Sequence, residues 1–183
     1  MQGKVFTISN MLSFSRILLM IPVAYCLQAQ FSFHREIAVI IVLLAMVTDA
    51  LDGYLARKLN EISDLGKIID PLADKIGVGI VVIMLMIFGD IPLWFMSLVI
   101  IRDVLIFLGG SYVQMKKGVL LVSTMSGKVT VVLISLTLIF AMLKTPSFNS
   151  LYLFFLWSSV AGMVYSFSIY LKRFYSIIVS RSH

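Results

Sequence analysis

Residues 46–75 read MVTDALDGYLARKLNEISDLGKIIDPLADK and hold six carboxylates, Asp49, Asp52, Glu61, Asp64, Asp70 and Asp74, between two apolar runs. The spacing of four of them suits metal chemistry. Asp49, Asp52, Gly53 and Ala56 follow i, i+3, i+4, i+7, so a helix carries them on one face. Gly66, Asp70 and Asp74 follow i, i+4, i+8 and share a face of a second helix. A short connection makes such helices antiparallel neighbours, and two pairs of carboxylates then converge. Four like charges at close quarters repel, and burying them unpaired is costly. Arg57, Lys67 and Lys75 supply some positive charge. A divalent ion supplies more and offers coordination sites. All-oxygen donors suit Mg²⁺, Mn²⁺ or Ca²⁺, and no His or Cys stands nearby to favour zinc. Four aspartates can hold two ions about 4 Å apart, an arrangement used for displacement at phosphorus. Gly53 and Gly66 have no side chain, and Ala56 leaves room one turn after Gly53, so a nucleotide phosphate or base can approach the backbone there. Small residues also serve close helix packing, the reading that fits Gly109, Gly110 and Gly162.

The elements that must position this chemistry are hydrophobic. Of 183 residues, 60% are hydrophobic and 13% charged, and the mean hydropathy is +1.03. A soluble domain of this size needs more polar surface, so the composition reads as an integral membrane protein. Six segments approach the roughly 20 apolar residues that a spanning helix needs: 8–28, 36–57, 66–89, 92–115, 119–142 and 149–171. The separators QAQFSFHR, KLNEISDL, GDIP, MKKG and LKTPSFN are short and turn-like. No linker, repeat or low-complexity tract divides the chain, and the apolar runs are too long, and do not alternate as strands would. The expectation is one all-α domain over residues 1–183, a polytopic membrane protein of six transmembrane helices. Interruptions at Ser9, Asn10, Ser13, Ser15 and Arg16, and the lack of a clear small-residue cleavage site, argue against a removed leader.

Six spans put both termini on one side. With the N-terminus inside, the inner segments hold Lys4, Arg57, Lys58, Lys67, Lys116, Lys117, Lys172, Arg173 and Arg181, against Arg35 and Lys144 outside. That asymmetry gives both termini and the acidic stretch a cytoplasmic face. The net charge of +6 therefore reads as orientation in a membrane, not as nucleic-acid binding. The basic, aromatic tail LKRFYSIIVSRSH is expected at the interface, Trp94 and Trp157 at helix–lipid boundaries, and His34 in a solvated loop. Cys26 is the sole cysteine and forms no intrachain disulfide. Arg16, Arg102, Asp103 and Lys128 lie within or near the spans, where charges mark function or pair with each other.

Residues 49–74 fit the pattern D-x2-D-G-x2-A-R-x8-G-x3-D-x3-D without a mismatch. Eight fixed positions at roughly one residue in fifteen each would match by chance on the order of once in a billion starts. The stretch resembles the signature of the CDP-alcohol phosphotransferase family, and the six-helix layout extends the likeness over most of the chain. The resemblance implies transfer of a phosphatidyl group from CDP-diacylglycerol to an acceptor alcohol, with release of CMP. It implies two ions, Mg²⁺ or Mn²⁺, one held by Asp49, Asp52 and Asp70, the other by Asp49, Asp70 and Asp74. Asp74 matches the carboxylate that takes the acceptor's proton. Gly53, Ala56, Arg57 and Gly66 match positions that contact the cytidine diphosphate. Asn10 and Ser13, in SNMLSFSR, match an element near the nucleotide. Arg102 in IIRDVL and Lys128 in SGKVT match acceptor-binding positions. It also implies a homodimer, in a bacterial cytoplasmic membrane first and a mitochondrial inner membrane second.

Two acceptors compete. Users of glycerol-3-phosphate in this family commonly carry R-E in the fourth helix and a second Arg eight residues on; this chain has Arg102–Asp103, and Gly110 at the later position. The R-D pair, TISNMLSFSR and GKVT are similar to members that use phosphatidylglycerol. Inositol phosphate and serine remain open. Readings from other classes are an aspartate-rich polyprenyl transferase, which needs about nine spans and two separated motifs, and a small cation channel or transporter. The chain cannot hold as many spans as the former needs, and the latter does not require Gly53, Ala56, Arg57 and Gly66 at fixed spacing.

Overall fold

The computed structural model describes residues 8–58, 79–118 and 124–179, with side chains over 18–48, 79–116, 118 and 124–179. The described residues are helical, with no strand among them. In chain order the helices are α1 (Ile8–Gln28), α2 (His34–Lys58), α3 (described over 79–87), α4 (Leu93–Lys117), α5 (Met125–Leu143) and α6 (Asn149–Val179), with a 3₁₀ turn at Pro146–Phe148. They fall into two compact units, Met1–Asp90 and Ile91–His183.

In the first unit α1 packs against α2. Met20, Val23 and Leu27 of α1 repeat at i, i+3, i+7 and are buried, as are Ala38 and Ala45 of α2. Alanines at the contact let the two helices approach closely. Val81, Val82 and Leu85 are the buried residues of α3. At one end of the unit Arg35 Nη1 donates to Asp90 Oδ2 at 3.0 Å, the Asp90 side chain fully buried. This pair sets the start of α2 beside the end of α3, the arrangement that antiparallel neighbours require. Next to it, His34 Nδ1 donates to the Cys26 carbonyl at 2.7 Å. His34 is therefore not a solvated loop residue: it is half-buried at the first turn of α2, ties that turn to α1 and meets Phe31 edge-on.

In the second unit α6 packs against both α4 and α5. α4 ends at Gly118, whose φ of 63° is left-handed and whose N–H bonds the Gln114 carbonyl; glycine adopts that conformation without the strain other residues meet. α5 begins later than expected. Thr124 is extended, with φ −83° and ψ 158°, and its Oγ1 accepts from Gly127 N at 3.1 Å. That side-chain cap starts the helix at Met125, so an apolar run counted from 119 overestimates it. Between α5 and α6 lie buried Thr130, Thr137, Ser159 and Ser166. Thr137, Ser159 and Ser166 bond back to carbonyls of their own helices, which satisfies each hydroxyl in an apolar surrounding. Thr130 Oγ1 lies 2.8 Å from the Ser126 carbonyl and 3.0 Å from that of Gly162, joining the two helices. A Cβ on Gly162 would stand 3.1 Å from that hydroxyl, and one on Gly109 would stand 2.5 Å from Tyr170 Oη. Both glycines serve packing, as expected.

Among the described residues, three helical stretches are long and apolar enough to cross a membrane: Leu93–Lys116, Met125–Leu143 and Pro146–Val179. α6 runs eight residues past the expected 171 because no glycine or proline interrupts LKRFYSIIV. Its 31 residues measure about 46 Å, more than the roughly 30 Å hydrocarbon core. Trp94 and Trp157, both exposed on the second unit, stack at 5.8 Å.

Candidate functional site

α2 carries the first half of the acidic motif. Its helix is continuous from His34 to Lys58, so Asp49, Asp52, Gly53 and Ala56 share one face by register. Asp49 lies about 21 Å along the axis from Arg35, towards the end of the helix opposite the Arg35–Asp90 pair. Arg57 stands in the last turn of α2. Gly66, Asp70 and Asp74 lie outside the described residues. Asn10 and Ser13 fall in the first two turns of α1, three residues apart on one face. Among the described residues, which exclude the side chains of the four aspartates, no three His, Cys, Asp or Glu side chains gather. The donors that α2 offers at i and i+3 are carboxylates alone, and hard oxygen donors fit Mg²⁺ or Mn²⁺.

The second candidate site is cationic and lies wholly within the second unit. Arg102 sits near the middle of α4 with its side chain only 10% exposed. Nη1 donates to Asp103 Oδ1 at 2.9 Å, and Nη2 reaches Ser166 Oγ on α6 at 3.4 Å. Nη2 also lies 3.9 Å from where a Cβ on Gly127 would stand, so the guanidinium faces the first turn of α5. Nε is buried with no hydrogen-bond partner among the described residues. A buried N–H without a partner carries the full cost of its desolvation. The next residue after Gly127 is Lys128, exposed, its backbone N–H bonded to the Thr124 carbonyl. Of the two readings open for Arg102, pairing with Asp103 is present, and the free Nε leaves a donor for an anion as well.

Thr124 and Ser166 were not legible as members of this site. Thr124 caps the helix that presents Lys128, and the S-T-M-S-G-K run around it is the cap signal. Ser166 stands seven residues after Ser159 and four after Gly162 on one α6 face, the pattern of a packing stripe, and nothing in the sequence pairs it with Arg102.

Comparison with known proteins defines the class. The chain matches the CDP-alcohol phosphatidyltransferase family over residues 6–166 and belongs to it. A cardiolipin synthase (CMP-forming)/mitochondrial hydrolase fusion protein of Schizosaccharomyces pombe is 37% identical over 116 residues, which cover 63% of this chain and 19% of that protein. A CDP-diacylglycerol–glycerol-3-phosphate 3-phosphatidyltransferase of Rickettsia felis is 38% identical over 77 residues, 42% of each chain. A probable cardiolipin synthase (CMP-forming) of Drosophila melanogaster is 36% identical over 112 residues, 60% of this chain and 33% of that one. The chain thus spans less than half the length of each of these relatives.

Proposed function

We propose that the protein is an integral-membrane phospholipid synthase that transfers a phosphatidyl group from CDP-diacylglycerol to an acceptor alcohol and releases CMP. The observation that carries this reading is the family match over residues 6–166, which encloses the unbroken D-x2-D-G-x2-A-R-x8-G-x3-D-x3-D run. The acceptor hydroxyl oxygen bonds to the β-phosphorus of the donor, and the bond from that phosphorus to the bridging oxygen breaks. CMP leaves with the bridging oxygen, and the hydroxyl proton passes to the Asp74 carboxylate and then to solvent. Asp49, Asp52, Asp70 and Asp74 would hold two divalent ions, Mg²⁺ or Mn²⁺. When bound, such ions neutralise the pyrophosphate and the charge that develops on the leaving phosphate. Gly53, Ala56 and Gly66 let the cytidine diphosphate approach the helix backbone, and Arg57, Asn10 and Ser13 bond to it. Arg102 and Lys128 hold the acceptor, phosphatidylglycerol or glycerol-3-phosphate, through charge-assisted contacts.

On this reading residues 1–183 are one catalytic membrane domain of six spans with both termini at the cytoplasmic face, and the protein works as a homodimer in a bacterial cytoplasmic or mitochondrial inner membrane. Purified protein, labelled CDP-diacylglycerol and a panel of acceptors test the reading by lipid chromatography. CMP release coupled to a new labelled phospholipid supports it; labelled donor left intact with every acceptor overturns it.

A further inference from the structure

α6 buries two serines on one face, Ser159 at 0% and Ser166 at 3% exposure. Both spend the hydroxyl hydrogen in the same way. Ser159 Oγ donates to the Leu156 carbonyl at 2.8 Å, and Ser166 Oγ donates to the Met163 carbonyl at 3.2 Å. A serine in an apolar surrounding needs no more than that bond to its own helix. The two serines differ in what their oxygens receive. Ser166 Oγ also accepts from Arg102 Nη2, 3.4 Å away on α4. Among the described residues, no side chain donates to Ser159. With its hydrogen fixed on Met163, the Ser166 oxygen is already oriented as an acceptor when the guanidinium meets it.

A guanidinium is a planar fork of N–H donors on a long, flexible stem. Asp103 Oδ1 takes Nη1 at 2.9 Å from the next position of α4. That anchor alone would leave the fork free to swing about it. Ser166 supplies a second anchor from another helix, and the two together fix the plane of the fork. In that pose Arg102 is 10% exposed, and its Nε is buried with no partner among the described residues. Buried donors are normally matched, so a pose held from two helices that still leaves one open suits an anion more than packing. We infer that Ser166 is a positioning residue: from α6 it holds the Arg102 guanidinium in the orientation that meets an anionic phosphate oxygen of the acceptor. The inference rests on the reading that Arg102 holds the acceptor. Ser166 acts through Arg102 and takes no part in the bond changes.

The test compares Ser166→Ala with Ser159→Ala, which removes a hydroxyl with the same backbone bond and no guanidinium. kcat and KM are measured for phosphatidylglycerol and for glycerol-3-phosphate at saturating CDP-diacylglycerol, read as CMP release. Ser166→Ala should raise the acceptor KM by about three- to tenfold, the scale of one weak hydrogen bond to a charged group, and leave kcat and the donor KM within about twofold of wild type. Ser159→Ala should leave all three within about twofold. In an Arg102→Ala background, Ser166→Ala should lower kcat/KM no further, because the group it positions is gone. An unchanged acceptor KM in Ser166→Ala, an equal rise in Ser159→Ala, a loss confined to kcat, or a further loss on top of Arg102→Ala each overturns the inference. Loss of the folded protein in Ser166→Ala but not in Ser159→Ala makes Ser166 structural and overturns it as well. An Arg102→Ala variant with a wild-type acceptor KM, or a wild type that releases CMP with neither acceptor, overturns the functional reading beneath. Those results differ from an Arg102→Ala that loses acceptor affinity while Ser166→Ala keeps it, which overturns the role of Ser166 alone.

Discussion

Gly53 sits between Asp52 and Tyr54 on the α2 face that carries Asp49, and on the proposed reading its lack of a side chain is what lets a nucleotide approach the helix. Gly53→Leu should block the approach of the cytidine diphosphate to the helix and lower CMP release by at least a hundredfold. Divalent-ion binding, followed by Mn²⁺ titration, should persist. Normal turnover in that variant would make Gly53 a packing residue like Gly109. The helix under the first half of the acidic motif was legible in the sequence, since Asp49, Asp52, Gly53 and Ala56 lie on the continuous α2 that their spacing predicts; Gly66, Asp70 and Asp74 lie outside the described residues. The Arg102 environment was legible only in part. Asp103 is its chain neighbour, so the pair could be weighed from the sequence. Ser166 lies 64 residues away, and no local rule joins residues at that distance.

At the scale of elements, the second unit depends on small groups at helix contacts. Tyr170 Oη on α6 donates to the Ile106 carbonyl of α4 at 2.9 Å, and a Cβ on Gly109 would stand 2.5 Å from that hydroxyl. One on Gly110 would stand at an ordinary 3.8 Å. Gly109→Ala should therefore push Tyr170 off its carbonyl and destabilise the protein by about 1–3 kcal/mol, seen as a lower thermal midpoint in detergent. Gly110→Ala should lie close to wild type, and equal midpoints for the two variants would remove the contact from the account of α4–α6 packing. The helix type followed from hydropathy, as did three span-length apolar helices among the described residues, while some helix ends did not. α1 begins at Ile8 and ends at Gln28, as its apolar run does. α5 waits for the Thr124 cap, and α6 continues through charged residues because charge does not stop a helix that leaves the membrane. His34 was misread for a related reason. Its partner is a backbone carbonyl, that of Cys26, and side-chain patterns do not display carbonyls.

For the whole molecule, the charge asymmetry supports the proposed orientation, with both termini at the cytoplasmic face. At the end of α4, Lys116 Nζ lies 5.1 Å from the Tyr112 ring centroid, Tyr112 meets Phe174 at 6.3 Å, and Phe174 meets Tyr170 at 6.4 Å. Basic and aromatic residues of this kind collect at a membrane surface, here at the ends of α4 and α6 that the positive-inside bias assigns to the cytoplasm. Single cysteines placed at Gln2 and Ser182 in a Cys26→Ser background should react with an impermeant maleimide from the same side of sealed vesicles, and one at Ser147 from the other. Modification of residues 2 and 182 from opposite sides would exclude six spans. On the proposed reading, metal ions and the donor pyrophosphate would compensate the aspartates that this oily chain concentrates in one stretch. The direct measurement is CMP release from CDP-diacylglycerol with phosphatidylglycerol as acceptor, by wild type and by Asp70→Asn, with Mg²⁺ and with excess EDTA. Metal-dependent release by wild type, and a loss of at least a thousandfold in a folded Asp70→Asn, is the expected result. Release that persists in EDTA, or near-normal turnover by Asp70→Asn, would contradict a mechanism built on this acidic cluster.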